Sequence, residues 1–288
     1  MGDTRSRARG RTGQGAAWLA LGPFFLFALA FEAVPVLTLL RSSLVVDAGL
    51  GLGNFRRALT PVMVASFRNS LQISLTTALL GVVLGTVVGY ALVTTRSATI
   101  RHALTALADV TTNFGGAPLA FAFIVTLGST GFVTLLLQKV GLDLYPRFRI
   151  YSESGLAVAY LYFQLPLMIL LIMPALLGLR ADWREAATSL GATRAQVWLR
   201  VGLPILAPSL LGSFLLLFAN AFGAYATAWT LTGPDVNLVT VQIAALVRGE
   251  VQFDPALADA LALLSLGVMT VCVVGYQWLS RRVRRWAA

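Results

Sequence analysis

The chain predicts an all-α, polytopic membrane bundle of six transmembrane helices, and three observations carry that prediction. Of its 288 residues, 57% are hydrophobic and only 12% charged, about half the charge of a soluble domain. The apolar residues fall in long blocks rather than in short amphipathic stripes. The basic residues gather at the block ends, on alternating sides that are rich and poor in arginine.

Crossing about 30 Å of hydrocarbon takes roughly 20 helical residues, and six blocks are long enough. They run from Trp18 to Leu40, from Asn69 to Thr95, within Val110 to Gln138, from Ser154 to Leu179, from Ile205 to Thr232, and from Ala260 to Ser280. The third is long enough to include a bend. Positive charge then orients the bundle. The first tail, the second-to-third connection, the fourth-to-fifth connection and the last tail carry 14 of the 22 basic residues, which places both termini in the cytoplasm. The opposite loops hold the other eight against six acids, a balance that favours neither an anionic nor a cationic solute. The expected layout is a basic cytoplasmic tail over 1–16, one membrane domain over 17–280 and a second basic tail over 281–288. The first apolar run is too long for the core of a cleaved leader and lacks a small-residue cleavage site, so it reads as a true span. Val241 to Val247 is apolar but too short to cross and reads as an interfacial or re-entrant helix.

Composition also excludes chemistries. A net charge of +10 admits nucleic acid as a partner, but arginines at block ends rather than on one polar face argue against it. Cys272, the only cysteine, forms no intrachain disulfide and reads as a small packing residue. His102 is the only histidine, so no metal site and no Ser-His-Asp triad is expected. The phosphate-binding pattern G-x-x-x-x-G-K-[ST] requires a lysine followed by Ser or Thr. Lys139, the only lysine, is followed by Val140.

The fourth-to-fifth connection is unlike the other loops, because it reads as helix. Asp182 is expected to cap a first helix, with Glu185 closing a capping box. Ala186 and Ala187 are slim, strong helix formers. Gly191 suits the left-handed residue that ends a helix. Thr193 and Gln196 repeat the capping pattern for a second helix, and Pro204 and Pro208 fall where the fifth span begins. The segment thus specifies two short helices about a glycine hinge, over 182–201, a knob shaped to enter a partner's groove.

These residues resemble the coupling motif of bacterial ABC importer permeases: E-A-A, three residues, G, nine residues, I-x-L-P. The chain has Glu185, Ala186 and Ala187, then Gly191, then Val201-Gly202-Leu203-Pro204, departing only in Val for Ile. Asn113-Phe114-Gly115-Gly116-Ala117-Pro118 and Phe222-Gly223-Ala224-Tyr225 add a looser likeness to permeases for polyamines, ferric iron and aminoethylphosphonate. The resemblance implies the type I importer permease fold in a bacterial inner membrane. It implies that Glu185, Ala186, Ala187, Gly191, Val201, Leu203 and Pro204 dock on an ATPase. It further implies two ATPase subunits that hold the ATP and Mg, since this chain has no cofactor site of its own. A second permease and an extracytoplasmic solute-binding protein complete the expected partners, with membrane lipid around them.

Within the spans, Glu32, Asn113, Gln164, Asn220 and Tyr225 are candidates for a translocation path. Hydrogen bonding between helices is the rival role for each amide and for the tyrosine. Glu32 is read equally as a path or subunit contact and as an acid near a span end that reaches water. Gly81, Gly85 and Gly89 form a small-residue packing face, within the subunit or against a second permease. A secondary transporter or channel remains the alternative, and it would carry ionisable residues in several spans or inverted repeats. An embedded enzyme lacks a cluster of His, Cys or carboxylates.

Overall fold

Six helices long and apolar enough to cross a membrane are present among the described residues, in agreement with the hydropathy blocks. The computed structural model describes residues 21–46, 49–250 and 252–286, with side chains as far as Trp278. The predicted tail over 1–16 and the start of the first span at Trp18 lie outside the described residues. The helices are α1 (Leu21–Leu44), α2 (Gly53–Arg57), α3 (Pro61–Thr94), α4 (Ala98–Thr112), α5 (Gly116–Leu127) and α6 (Phe132–Lys139). They continue as α7 (Glu153–Leu177), α8 (Ala181–Ser189), α9 (Arg194–Phe222), α10 (Tyr225–Thr232), α11 (Val239–Arg248) and α12 (Pro255–Trp286). A two-stranded ribbon, Val45–Val46 against Gly49–Leu50, follows α1.

Two predicted spans are broken in the structure. The third span covers Gly116–Lys139 and is interrupted over 128–131 between α5 and α6; the predicted block from Val110 also takes in the end of a separate helix, α4, which starts at Ala98, where the Ser97 hydroxyl accepts the Ile100 N–H at 3.3 Å. Arg101, His102, Thr105 and Asp109 lie on α4 and hide this helix from a hydropathy reading. It packs on α7. The chain then breaks over Asn113–Gly115 before α5. The fifth span, predicted as one block to Thr232, breaks at Gly223 and Ala224 between α9 and α10. α11 is helical where the short apolar segment predicted it, and it buries Val239, Val241 and Leu246.

Proline shapes two of the spans. The ring of a proline clashes with the carbonyl four residues back and supplies no N–H to it. In α1 the helix widens to a π turn over Leu29–Ala33, where the Val34 N–H reaches the Leu29 carbonyl, immediately before Pro35. In α9 the same turn covers Trp198–Gly202, with the Leu203 N–H on the Trp198 carbonyl, immediately before Pro204. The widened turn moves the obstructed carbonyl aside and lets the helix continue.

The centre of the bundle is α3 against α7, with α9 laid on both. Lipid is as apolar as leucine, so this contact is held by close van der Waals packing rather than by exclusion of water. Gly81, Gly85 and Gly89 lie buried along the seam. A Cβ on Gly85 would stand 2.6 Å from the Met168 Cβ, and one on Gly89 2.9 Å from the Ile172 Cγ2. The glycine face is therefore a contact within the subunit. Gln164 crosses the same seam, its amide donating to the Thr77 hydroxyl at 3.1 Å. α1 stands apart: it packs on α12, and none of its apolar window is buried.

Gly85→Leu is expected to force the α3–α7 seam apart and to destabilise the bundle by about 1–3 kcal/mol. Thermal unfolding of purified variants in detergent checks this, with Gly267→Leu as the control, since nothing lies within 4 Å of a Cβ there.

Candidate functional site

α8 and the turn after it project from the bundle. No residue of α8 is buried, and Glu185 and Ala186 are exposed with Ala187 half-buried. The helix closes on a hinge of defined geometry. Gly191 adopts φ +81°. Its N–H reaches the Thr188 carbonyl at 2.9 Å, and the Ala192 N–H reaches the Ala187 carbonyl at 3.0 Å. This pair of bonds is the Schellman closure, which needs a left-handed residue and therefore favours glycine. Leu190, beside the hinge, is 89% exposed. The motif reading passed over it, although an apolar residue at a helix end in a polar loop was there to be noticed.

The start of α8 differs from its prediction. Arg180 occupies the cap position with no side-chain cap, and Asp182 lies inside the first turn, where its carboxylate pairs with the Arg180 guanidinium at 2.6 Å. Asp182 still sits favourably at the positive end of the helix, but no Asp182–Glu185 capping box forms. The second box does form: the Thr193 hydroxyl accepts the Gln196 N–H at 3.3 Å, and the Gln196 side chain accepts the Thr193 N–H at 2.8 Å.

The helix that starts there does not end as a short element. It passes through the π turn and runs on to Phe222, 29 residues in all, or about 43 Å. Val201 is half-buried and Leu203 and Pro204 exposed along it. Trp198 anchors the π turn. Its ring meets Tyr90 of α3 edge-on at 4.9 Å between centroids, and a Cβ on Gly202 would lie 2.9 Å from it. A cavity of about 200 Å³, lined by Tyr90, Trp183, Arg184 and Trp198 among others, lies between the start of α8, the π turn and the ends of α3 and α7.

The far end of α9 reaches a second cavity, of about 420 Å³, where the two helix breaks meet. Thr112, Gly115 and Gly116 line it from one break, and Asn220, Gly223, Ala224 and Tyr225 from the other, with Phe163 of α7 at its side. Phe163 stands ten residues from the Glu153 end of α7, about 15 Å along a helix of about 37 Å, so the cavity lies at mid-depth. Asn220 lines it and is exposed in the single chain, and Asn113 is exposed in the break just before Phe114 and Gly115. Tyr225 is half-buried, its Oη has no hydrogen-bond partner, and Arg248 of α11 sits 5.3 Å over its ring.

The remaining two predicted path residues lie elsewhere. Gln164 is fully buried in the α3–α7 seam, and Glu32 is exposed on the π turn of α1. A hydropathy count places Glu32 alone among acids inside spans, whereas the sixth span, Pro255–Trp278, also takes in Asp259. Asp109, exposed one turn before Thr112, lies on α4, outside the six candidate spans. Among the described residues no group of His, Cys, Asp and Glu could hold a metal ion.

Six candidate spans, with an exposed hinged turn at one end of one of them and a cavity between two helix breaks at its other end, define an integral membrane helical domain. Residues 146–285 match the family described as binding-protein-dependent transport system inner membrane component. It is 29% identical over 170 residues to the ferric transport system permease protein FbpB of Actinobacillus pleuropneumoniae, covering 56% of this chain and 24% of that protein. It is 29% identical over 161 residues to the molybdenum transport system permease protein ModB of Mycobacterium tuberculosis, covering 56% and 57%. The chain thus spans about a quarter to somewhat over half the length of these relatives. The fold matches a chain of a bacterial ABC transporter involved in import of the acidic polysaccharide alginate, with TM-score 0.74, 18% identity and coverage of 94% and 96%.

Replacing Gly191 by Val places a branched side chain at φ +81°, which costs about 1–2 kcal/mol for a non-glycine residue. Faster amide exchange across 186–192, with no change in α7, is the expected readout.

Proposed function

We propose that the chain is a translocating subunit of an ATP-driven importer and that the hinged turn around Glu185 and Gly191 docks on a separate ATPase. One observation carries this reading. The turn and the mid-depth cavity are the two ends of the single helix α9. A displacement of the turn is therefore transmitted directly to Asn220, without passing through a flexible loop.

These residues contain no G-x-x-x-x-G-K-[ST] loop, which supports an ATPase outside them. Two such subunits, each carrying ATP and Mg, would close on nucleotide and pull the turns. The knob suits that role. Glu185 has no ion-pair partner among the described residues, and Leu190 presents an uncovered apolar side chain. An acid and a leucine on a rigid two-helix turn offer a partner groove one charge contact and one apolar anchor.

A second permease, identical or homologous, follows from the cavity. Asn113 and Asn220 are exposed at mid-depth in the single chain. Amides facing hydrocarbon are costly, so this face meets water or protein rather than lipid. Two such faces together enclose a path. An extracytoplasmic binding protein delivers a small polar solute to it, and the broken helices α4–α5 and α9–α10 line it. Both termini lie in the cytoplasm, on the side of the ATPase turn. No covalent chemistry takes place in this chain.

Glu185→Lys and Gly191→Val are expected to reduce uptake at least tenfold and to lower the amount of ATPase that copurifies. Normal uptake and normal copurification in both variants would remove the turn from the mechanism. Uptake that continues without any ATPase would point instead to a secondary transporter or channel.

A further inference from the structure

We infer that the cavity between the start of α8, the π turn of α9 and the ends of α3 and α7 takes the headgroup of an anionic phospholipid from the leaflet at that end of the bundle. This needs only that the spans cross a bilayer, and it does not depend on the importer reading. Three properties carry it: the depth of the cavity, the chemistry of its wall and the charge around it.

α7 is about 37 Å long, a little more than the roughly 30 Å of hydrocarbon that a span crosses. Its end at Leu177 therefore lies near the hydrocarbon boundary. Leu176 and, just past the helix end, Leu179 line the cavity, which gives it an apolar floor. Three aromatic side chains add to the wall: Tyr90 of α3, Trp183 of α8 and Trp198 of the π turn. Tyr90 and Trp183 are exposed and Trp198 is half-buried. Tyrosine and tryptophan join an apolar ring to a polar tip, and they gather at the level of lipid headgroups. Leu177, Leu199 and Leu203, each next to a lining residue in the chain, are exposed and offer acyl chains an apolar surface. A volume of about 200 Å³ is less than a drug-sized ligand fills and suits a headgroup whose chains stay in the bilayer.

The charge is positive. Arg180 and Arg184 line the cavity, and no carboxylate does. Arg180 is paired with Asp182 at 2.6 Å. Arg184 forms no ion pair among the described residues, and its planar fork of donors matches a phosphate. The surroundings carry the same sign. The ends of α3 and α7 meet at this cavity, so the connections that leave them emerge on one side of the bundle. Over 95–102 and 178–202 those connections hold six arginines against two acids, Asp182 and Glu185. Clustered arginines just outside a span draw anionic lipid to it. No residue of α8 is buried, and the helix packs on the start of α9. A headgroup held by Arg184 and Trp183 ties the inner side of α8 to the bundle, while Glu185 and Leu190 stay outside the cavity.

The test uses the full chain with its copurified ATPase, taken from nanodiscs of equal parts phosphatidylcholine and phosphatidylglycerol, and counts the retained lipids by native mass spectrometry. Phosphatidylglycerol is expected to be retained in preference to phosphatidylcholine. Arg184→Gln is expected to lower that preference about fivefold, the effect of one basic side chain at an anionic surface. Arg96→Gln removes an exposed arginine at the same end of the bundle, outside the cavity wall, and is expected to leave the preference unchanged. Soluble glycerol phosphate is expected not to displace the lipid. The inference is overturned if both lipids are retained alike, or if the two variants act equally, which would reduce the effect to diffuse surface charge. Displacement by glycerol phosphate would assign the cavity to a soluble ligand and overturn it too. So would lipid held by the chain alone and lost when the ATPase is present, which would give the cavity to the ATPase contact. A chain that brings down no ATPase counts against the importer reading only, since the same lipid count is made on the chain by itself.

Discussion

A backbone inside hydrocarbon has no water to satisfy its N–H and C=O groups, and the architecture of this chain follows from that constraint. Prolines in α1 and α9 are accommodated by a widened turn instead of a break. The interruptions at Asn113–Gly115 and at Gly223–Ala224 come together at one cavity, and a third, over 128–131, separates α5 from α6. Each interruption leaves groups that need partners, and local turns and the hydroxyls of Thr227 and Tyr160 supply partners for some of the carbonyls.

The seam between α3 and α7 makes this arrangement rigid. Without a hydrophobic driving force between helices, backbone proximity is what holds them, and the buried faces of Gly81, Gly85 and Gly89 permit it. α9 lies on both of these helices. Its hinge end is keyed to α3 through Trp198 and Tyr90, and its far end carries Asn220 to the cavity. In the proposed mechanism, a rigid seam beside a continuous helix carries a force applied at Gly191 to the cavity as a displacement rather than as side-chain motion. The π turn between them is the one irregularity in that rod, and the aromatic contact pins it.

Much of the fold was legible in the chain. Six apolar blocks announced six spans, because burial in lipid demands about the same length and composition of every crossing helix. The hinge was legible for a similar reason: Gly191 and the Thr193–Gln196 box are local devices whose chemistry depends only on neighbours in the chain. The start of α8 was misread, because Asp182 is as satisfied by an ion pair with Arg180 as by a capping role, and local rules do not choose between them. α4 was missed over most of its length, since its polar residues lower hydropathy although α7 supports it as a helix.

The sequence alone determined how many blocks are long enough to cross, where the hinged turn stands, and that these residues hold no G-x-x-x-x-G-K-[ST] pattern. Those properties depend on composition and on spacings of a few residues. Only the tertiary structure decided which polar groups share a site. It buried Gln164 in a seam, left Glu32 on the outer helix, and brought Gly116 within hydrogen-bond reach of Thr227. Those two residues are 111 apart in the chain, and no local propensity records such a pairing. It arises from the packing of whole helices.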